Sequence, residues 1–454
     1  MKPIDNSIGS EKTRPILFGQ RREQLGKAMG LAARLPLSKD RAMQTKHLSS
    51  NPATGLVPRV LPPSPDVPAD ELAARLKSIR REMNADGFDV IVISDVKNIQ
   101  YFTDFRSNSY YYNSRPFFAL ITAEDLMLFG GTYERAYVEW KERSFSAAYY
   151  AGYIDDAVKL IADTVRDLFK GKAPRVGVDY GEEMSGRASL FLVDALRDVS
   201  ARGDLKSATA TLWRVRQIKT PFEAELKRTA FAICNEAFDQ TIAQARIGIT
   251  EYELWRMMQA QTFLNGAESG DPFPLPVIFG KGDFTYGRPP SARRLEEGHY
   301  VWADFRATYG GYSADRNRIA RAGKPKAWEL ETYKAVRDVT HEWCHLVRPG
   351  MTAADLYNEG NKLWGPVNVG NKFSLHTPGA IGVRIGHGSG LDLVETPALG
   401  PDDRTAIRPG MILHIEPKLE RDGAVFQCEE VFYVLEGGID FLAPLTPETL
   451  PTIR

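Results

Sequence analysis

The sequence predicts an α+β protein in which a smaller α/β domain precedes a larger one that mixes long helices with antiparallel hairpins. Three observations carry this. From Asp70 a helical pattern leads directly into a short apolar strand, the opening of an α/β unit. From Thr220 onward, long helices begin at explicit capping signals. Between Trp302 and Ile319 (WADFRATYGGYSADRNRI) two extended runs flank Gly310-Gly311, the pattern of a hairpin.

Taken in order, residues 1–68 are polar and end in the Pro-rich VLPPSPDVP, an extension and linker. Residues 69–210 form the predicted α/β domain. Leu72, Leu76, Ile79 and Met83 share one helical face, Gly87 closes that helix, and Val90 to Ile93 reads as a buried strand. Further strands are expected at Phe117 to Ile121, Leu126 to Phe129 and Val176 to Val178, with a helix around Ala157 to Leu168. Tyr101 to Pro116 (YFTDFRSNSYYYNSRP) is a loop rich in aromatics with arginines interleaved, a composition common at recognition surfaces. Residues 211–454 form the second domain. Thr220, Pro221 and Glu223 make a capping box whose helix buries Leu226, Ala230, Ile233 and Ala237. Thr250 with Glu253, and Thr352 after Pro349-Gly350, open two more helices.

Composition narrows the function classes. Lys plus Arg and Asp plus Glu are 58 each, so the chain has no net charge and no concentrated basic field for nucleic acid or a membrane surface. No run of about 18 apolar residues marks a membrane span. Cys234, Cys344 and Cys428 are far apart and odd in number, which fits buried thiols in a reducing compartment such as the cytoplasm.

Chemistry concentrates in four stretches. Asp304 and Asp315 lie on the two arms of the 302–319 hairpin, where acids are costly to bury without a cation. His387 stands among glycines in GHGSGL, where backbone can approach a ligand closely. Glu416 ends the apolar strand MILHIEP, and Glu429 and Glu430 enter the strand QCEEVFYV, where alternation lets only one of them point inward. Hard oxygen donors with one imidazole suit Mn, Fe, Co or Zn ions, and carboxylates can bridge two of them.

This ordered set resembles the pita-bread metallopeptidases, a family that includes methionine aminopeptidase, aminopeptidase P, prolidase, creatinase and a dimethylsulfoniopropionate lyase. The resemblance covers about residues 70 to 445. It implies a C-terminal pita-bread catalytic domain, a creatinase-type N-terminal domain, and two divalent metal ions held by Asp304, Asp315, His387, Glu416 and Glu429. Peptide-cleaving members also carry histidines that would fall at Gly287, Val383 and Val394. Their replacement points away from an ordinary aminopeptidase.

Other residues then become candidates. His414, two before Glu416, is a candidate acid, base or substrate donor, and Glu416, Asp392 and Glu395 are candidates for proton transfer. Arg306, two residues past Asp304, and Arg288 in TYGRPPS are candidate substrate anchors. His341 and His345, at i and i+4 with no third ligand in view, read as structural. Resemblance to creatinase-like and lyase-like relatives implies a homodimer in which the loop carrying Tyr110, Tyr111, Tyr112 and Arg115 completes the partner's site around a small anionic or zwitterionic substrate. The expected reaction is hydrolysis of an amide-like carbon–nitrogen bond in a small or dipeptide-like compound. The alternatives are a metal-dependent lyase acting on a zwitterion such as dimethylsulfoniopropionate, and a non-catalytic binding module.

Overall fold

The structure is a computed structural model and describes residues 63–140, 144–181, 189–269, 277–280, 288–371 and 384–454. Most of the expected extension, Gly287, Val383 and the Tyr111 side chain lie outside the described residues. Val57–Arg454 form one compact unit.

The first part begins with α1 (Ala69–Asp86), which buries Leu72, Leu76, Ile79 and Met83 and stops where Gly87 takes a φ of +76°, a left-handed value that glycine adopts without strain. In chain order follow β1 (Val90–Ile93), α2 (Val96–Thr103), β2 (Phe118–Thr122), β3 (Leu126–Gly131), α3 (Arg135–Trp140), β4 (Ser146–Tyr150), α4 (Ile154–Leu168), β5 (Val176–Val178), α5 (Leu190–Val199), β6 (Leu205–Ser207) and α6 (Thr209–Arg216). The strands make one mixed sheet in the order β4-β3-β2-β1-β5-β6. β1 is apolar throughout because both its faces are covered. Val90 and Val92 pack in a core with Ile161 and Val165 of α4 and Leu192 of α5. Ile91 and Ile93 join a second core shared with α1 and the next helix.

That helix is α7 (Pro221–Gln244), opened by the Thr220–Glu223 capping box, and α8 (Glu251–Leu264) opens on Thr250 and Glu253 in the same way. Then come β7 (Val277–Gly280), β8 (Tyr300–Tyr309), β9 (Tyr312–Ala322), α9 (Ala327–His345), α10 (Ala353–Val367), β10 (His387–Gly388), β11 (Glu395–Ala398), β12 (Ile412–Ile415), β13 (Lys418–Arg421), β14 (Ala424–Gln427), β15 (Glu430–Leu435), β16 (Gly438–Phe441) and β17 (Thr452–Ile453). One sheet has the order β17-β9-β8-β7 and another β11-β10-β12-β15-β16, while β13 and β14 form a separate two-stranded ribbon.

Two features of this part position the site. In β8, Val301, Ala303, Phe305 and Ala307 share a core with Leu226, Ala230 and Ile233 of α7. Each of the larger buried side chains here, Val301, Phe305, Leu226 and Ile233, contributes about 1.5–3 kcal/mol. Alternation therefore sends Asp304, Arg306 and Thr308 to the opposite face. Antiparallel register sets Asp304 across from Asn317 and Arg306 across from Asp315. The turn joining the arms holds Gly310 at φ +62° and Gly311 at φ +80°, the two left-handed residues that a tight hairpin turn requires.

The second feature corrects a sequence expectation. Gln427 to Val434 is not one strand. Gln427 pairs with Lys418 in the ribbon, whereas Glu430 pairs with Ile415 in the five-stranded sheet. Glu416-Pro417 and Cys428-Glu429 are thus facing breaks, where both chains leave one sheet for another. Proline cannot donate to a ladder, which accounts for the first break.

Candidate metal centre

Asp304, Asp315 and Glu429 bring carboxylate oxygens within 4.8 Å of one another. Asp315 Oδ2 lies 3.6 Å, and Glu416 Oε1 3.7 Å, from Nε2 of His387. His387 Nδ1 donates to the Gly388 carbonyl at 2.8 Å, which leaves the Nε2 lone pair facing the two acids. All five residues expected to hold metal therefore meet, with Glu429 and not Glu430 in the cluster.

Glu430 faces the other way. Arg316, the Thr446 amide and His341 surround it, with His341 Nε2 3.1 Å and Cys428 Sγ 3.4 Å from Oε1. His341 thereby ties α9 to the sheet, and its ligand atom lies within 4.8 Å of those of Cys428 and Glu430, third-ligand candidates the sequence did not show.

The electrostatics call for a cation. Burial, then Asp315, Glu416 and Asp304, push the Glu429 carboxyl well above its ordinary range. Burial and Asp315 do the same to Asp304. Two like charges about 4 Å apart repel by roughly 4 kcal/mol at an effective dielectric of about 20, so these acids cannot all ionise without positive charge among them. Nε2 of His414 and both polar atoms of the Asn317 side chain are buried with no hydrogen-bond partner among the described residues. A divalent ion fits this donor set.

His414 is fully buried. Its Nδ1 donates to Glu429 Oε1 at 2.7 Å, and its ring stacks on His387 with centroids 4.8 Å apart and planes 15° apart. The possible ligand atoms of His387, His414 and Glu429 lie within 4.8 Å of one another, so His414 both braces its two neighbours and belongs to a group that could hold an ion. Burial, then His387 and Lys227, hold its pKa well below the usual histidine range, so its proton stays on one nitrogen only.

Several sequence candidates are committed elsewhere. Glu395, proposed as a base, accepts from Arg216 at 2.7 Å and from Lys219 at 2.7 Å. Burial alone would raise its pKa, but Lys219 and Arg216 outweigh that and pull it to about 2, too low for a useful base. Asp392 accepts from the same Arg216 nitrogen at 2.6 Å. Arg288 grips Glu251 with two hydrogen bonds of 2.7 and 2.8 Å at the start of α8. Tyr110 packs on Phe105 and Phe117 and donates to the Phe105 carbonyl at 2.6 Å, which makes it a core residue. Tyr112 is 62% exposed, and Arg115 lies over the rings of Tyr133 and Tyr153 at 5.3 and 4.9 Å. Val394, one of the replaced histidine positions, is half-buried.

The glycines around His387 also have a different reason from the expected one. A Cβ on Gly386 would sit 1.8 Å from the His414 carbonyl, and one on Gly388 2.4 Å from that of Thr396. They allow neighbouring backbone to come close.

Sequence reasoning missed four contributors. Lys418 Nζ donates to Glu416 Oε2 at 2.6 Å, and Gln427 Nε2 reaches the same oxygen at 3.3 Å. The Asn317 amide donates to Glu429. Lys227 donates to Ser389 Oγ at 2.6 Å and to the Ser313 carbonyl. Asn317 carried a signal, since residues two apart along a strand, here from Asp315 in β9, leave the same face.

A buried cage of carboxylates and one imidazole between two antiparallel sheets, behind an α/β domain, defines the class as a metal-dependent enzyme scaffold. The chain belongs to the pita-bread metallopeptidases: residues 225–436 match the model of metallopeptidase family M24, and residues 75–218 match the creatinase/prolidase N-terminal domain. It is 26% identical over 269 residues to an Xaa-Pro dipeptidase of Pyrococcus furiosus, covering 59% of this chain and 74% of that protein. It is 25% identical over 373 residues to an uncharacterised peptidase of Staphylococcus aureus, covering 81% of this chain and 98% of that one. Among solved structures, an Xaa-Pro dipeptidase from Bacillus anthracis superposes with a TM-score of 0.71 at 19% identity, over 84% of this chain and all (100%) of the other. An X-Pro aminopeptidase from Thermotoga maritima gives 0.69 at 22%, over 83% and 99%. Both support the same fold.

Proposed function

We propose that this protein is a metal-dependent hydrolase that cleaves an amide-like carbon–nitrogen bond in a small, dipeptide-like substrate. The observation that carries the reading is the meeting of Asp304, Asp315, His387, Glu416 and Glu429 in one buried cluster. The similarity to an Xaa-Pro dipeptidase supports the substrate class. These five residues would hold the metal. When bound, a divalent ion supplies Lewis acidity, which lowers the pKa of water and neutralises charge developing on a carbonyl oxygen.

The chain's own groups do the rest. His414 and the Asn317 amide fix the two oxygens of Glu429. Glu416 keeps Oε1 toward the centre and Oε2 on the Lys418 ammonium. Arg306, on the Asp304 face of β8, is the anchor for a substrate carboxylate. Tyr112 and Arg115, set on the first domain, are the residues a homodimer would offer to its partner's site, and the three buried thiols fit a cytoplasmic setting.

The test uses the full chain, stripped with chelator and reloaded with Mn or Co, incubated with Xaa-Pro dipeptides, other dipeptides and N-acyl amino acids. Release of free amine that needs the metal and vanishes in Asp315→Asn is the expected result. Dimethyl sulfide from dimethylsulfoniopropionate with no amine from any amide would establish the lyase instead, and a chain that takes up no metal would establish the binding module.

A further inference from the structure

We infer that the Lys418 ammonium stands where a second cation would, so that the cage takes one divalent ion and not two. The inference rests on the metal-centre reading above and concerns how much charge the chain itself already supplies.

Lys418 begins β13 and is almost wholly buried, with its side chain 4% exposed. It forms an ion pair with Glu416 Oε2 at 2.6 Å. Gln427, directly across the ribbon, donates to the same oxygen at 3.3 Å, while the Trp302 indole donates to Gln427 Oε1 at 2.6 Å and fixes the amide. Glu416 therefore has one oxygen, Oε1, turned to His387 and the acids, and the other turned to a fixed pair of nitrogen donors. A carboxylate so divided serves one metal and one ammonium.

Charge counting gives the same answer. Asp304, Asp315, Glu416 and Glu429 bring four negative charges, and His387, with its Nδ1 proton on Gly388, is a neutral ligand. Arg306 lies across from Asp315, and both it and Lys418 act electrostatically on Asp304. Lys227, hydrogen-bonded to Ser389 Oγ and the Ser313 carbonyl, adds further positive charge that acts on Asp315. With this charge already in place, a second divalent ion would bring positive charge that the four carboxylates do not balance, which is costly in a low-dielectric site.

The experiment is metal stoichiometry, read by elemental analysis of the full-length protein after dialysis against excess Mn and then metal-free buffer, with no substrate involved. The wild type is expected to hold one ion per chain with the electron paramagnetic resonance spectrum of an isolated Mn. Lys418→Met is expected to hold two, with the exchange-coupled spectrum of a pair, and Lys418→Arg to hold one. Two ions in the wild type, or one in Lys418→Met, overturns the inference and leaves the hydrolase reading standing. No ion in the wild type overturns both. Should Lys418→Met not fold, the wild-type stoichiometry and spectrum still decide the matter.

Discussion

At the scale of single residues, His414 sits against two of the proposed ligands. His414 orients Glu429 by a hydrogen bond and His387 by stacking, and removing such an outer partner typically weakens metal binding 10–100-fold. His414→Ala is expected to bind Co more weakly by about that factor, as read by calorimetric titration, with a native circular dichroism spectrum. His414→Asn, which keeps a donor, is expected to recover part of the loss. Glu395 supplies a second test. Its pKa in the folded state is drawn down to about 2, below that of an ordinary carboxyl, so its stabilising effect is fully present above about pH 4.5 and is lost as pH falls through about 2. Removing one partner of a buried pair costs about 3–5 kcal/mol. Urea unfolding at pH 7 is expected to show Glu395→Gln less stable by that amount, with the gap narrowing at pH 3 and below.

At the scale of elements, the local signals were legible because their causes are local. Thr220 and Glu223, Thr250 and Glu253, Gly87, and the Gly310-Gly311 turn each rest on contacts within a few residues, and each stands where the sequence put it. The break at Cys428-Glu429 was not legible, since it depends on which distant strand each half pairs with. Nor was the commitment of Glu395, whose partners Arg216 and Lys219 are 179 and 176 positions away. The four acids and one histidine of the cage could be picked out by motif, but Lys418 and Gln427 were passed over because neither is a usual metal ligand. The Gly310-Gly311 turn gives the test at this scale. A Cβ on Gly311 would lie 1.9 Å from Gln100 Nε2, and φ of +80° already disfavours any side chain. Gly311→Ala is expected to cost about 1–3 kcal/mol in thermal unfolding and to weaken metal binding, because the arm carrying Asp315 shifts against the arm carrying Asp304.

At the scale of the whole molecule, the cage draws on both larger sheets. Asp304 and Asp315 come from the β8–β9 hairpin of one, and His387 and Glu429 lie on or beside strands of the other. A bound ion therefore ties the two sheets together, and unfolding must release it. Ligand linkage gives about 2.7 kcal/mol of added stability at a metal concentration 100 times the dissociation constant. Chelator treatment is expected to lower the unfolding temperature by several degrees and excess Mn to restore it, as followed by differential scanning calorimetry. The first domain is joined to the second by fixed contacts as well. Arg216 reaches from Asp392 and Glu395 to Asn98, and Arg75 reaches the Tyr312 hydroxyl, which donates to Glu223. No described helix is long and apolar enough to cross a membrane.

The ribbon formed by Lys418–Arg421 and Ala424–Gln427 leaves the main sheets between two facing breaks and returns with both of its end residues on Glu416. Its Leu419, Val425 and Phe426 are buried in the same core as Trp302, whose indole holds Gln427, so this short segment couples the packing of the second half of the chain to the charge that Glu416 presents.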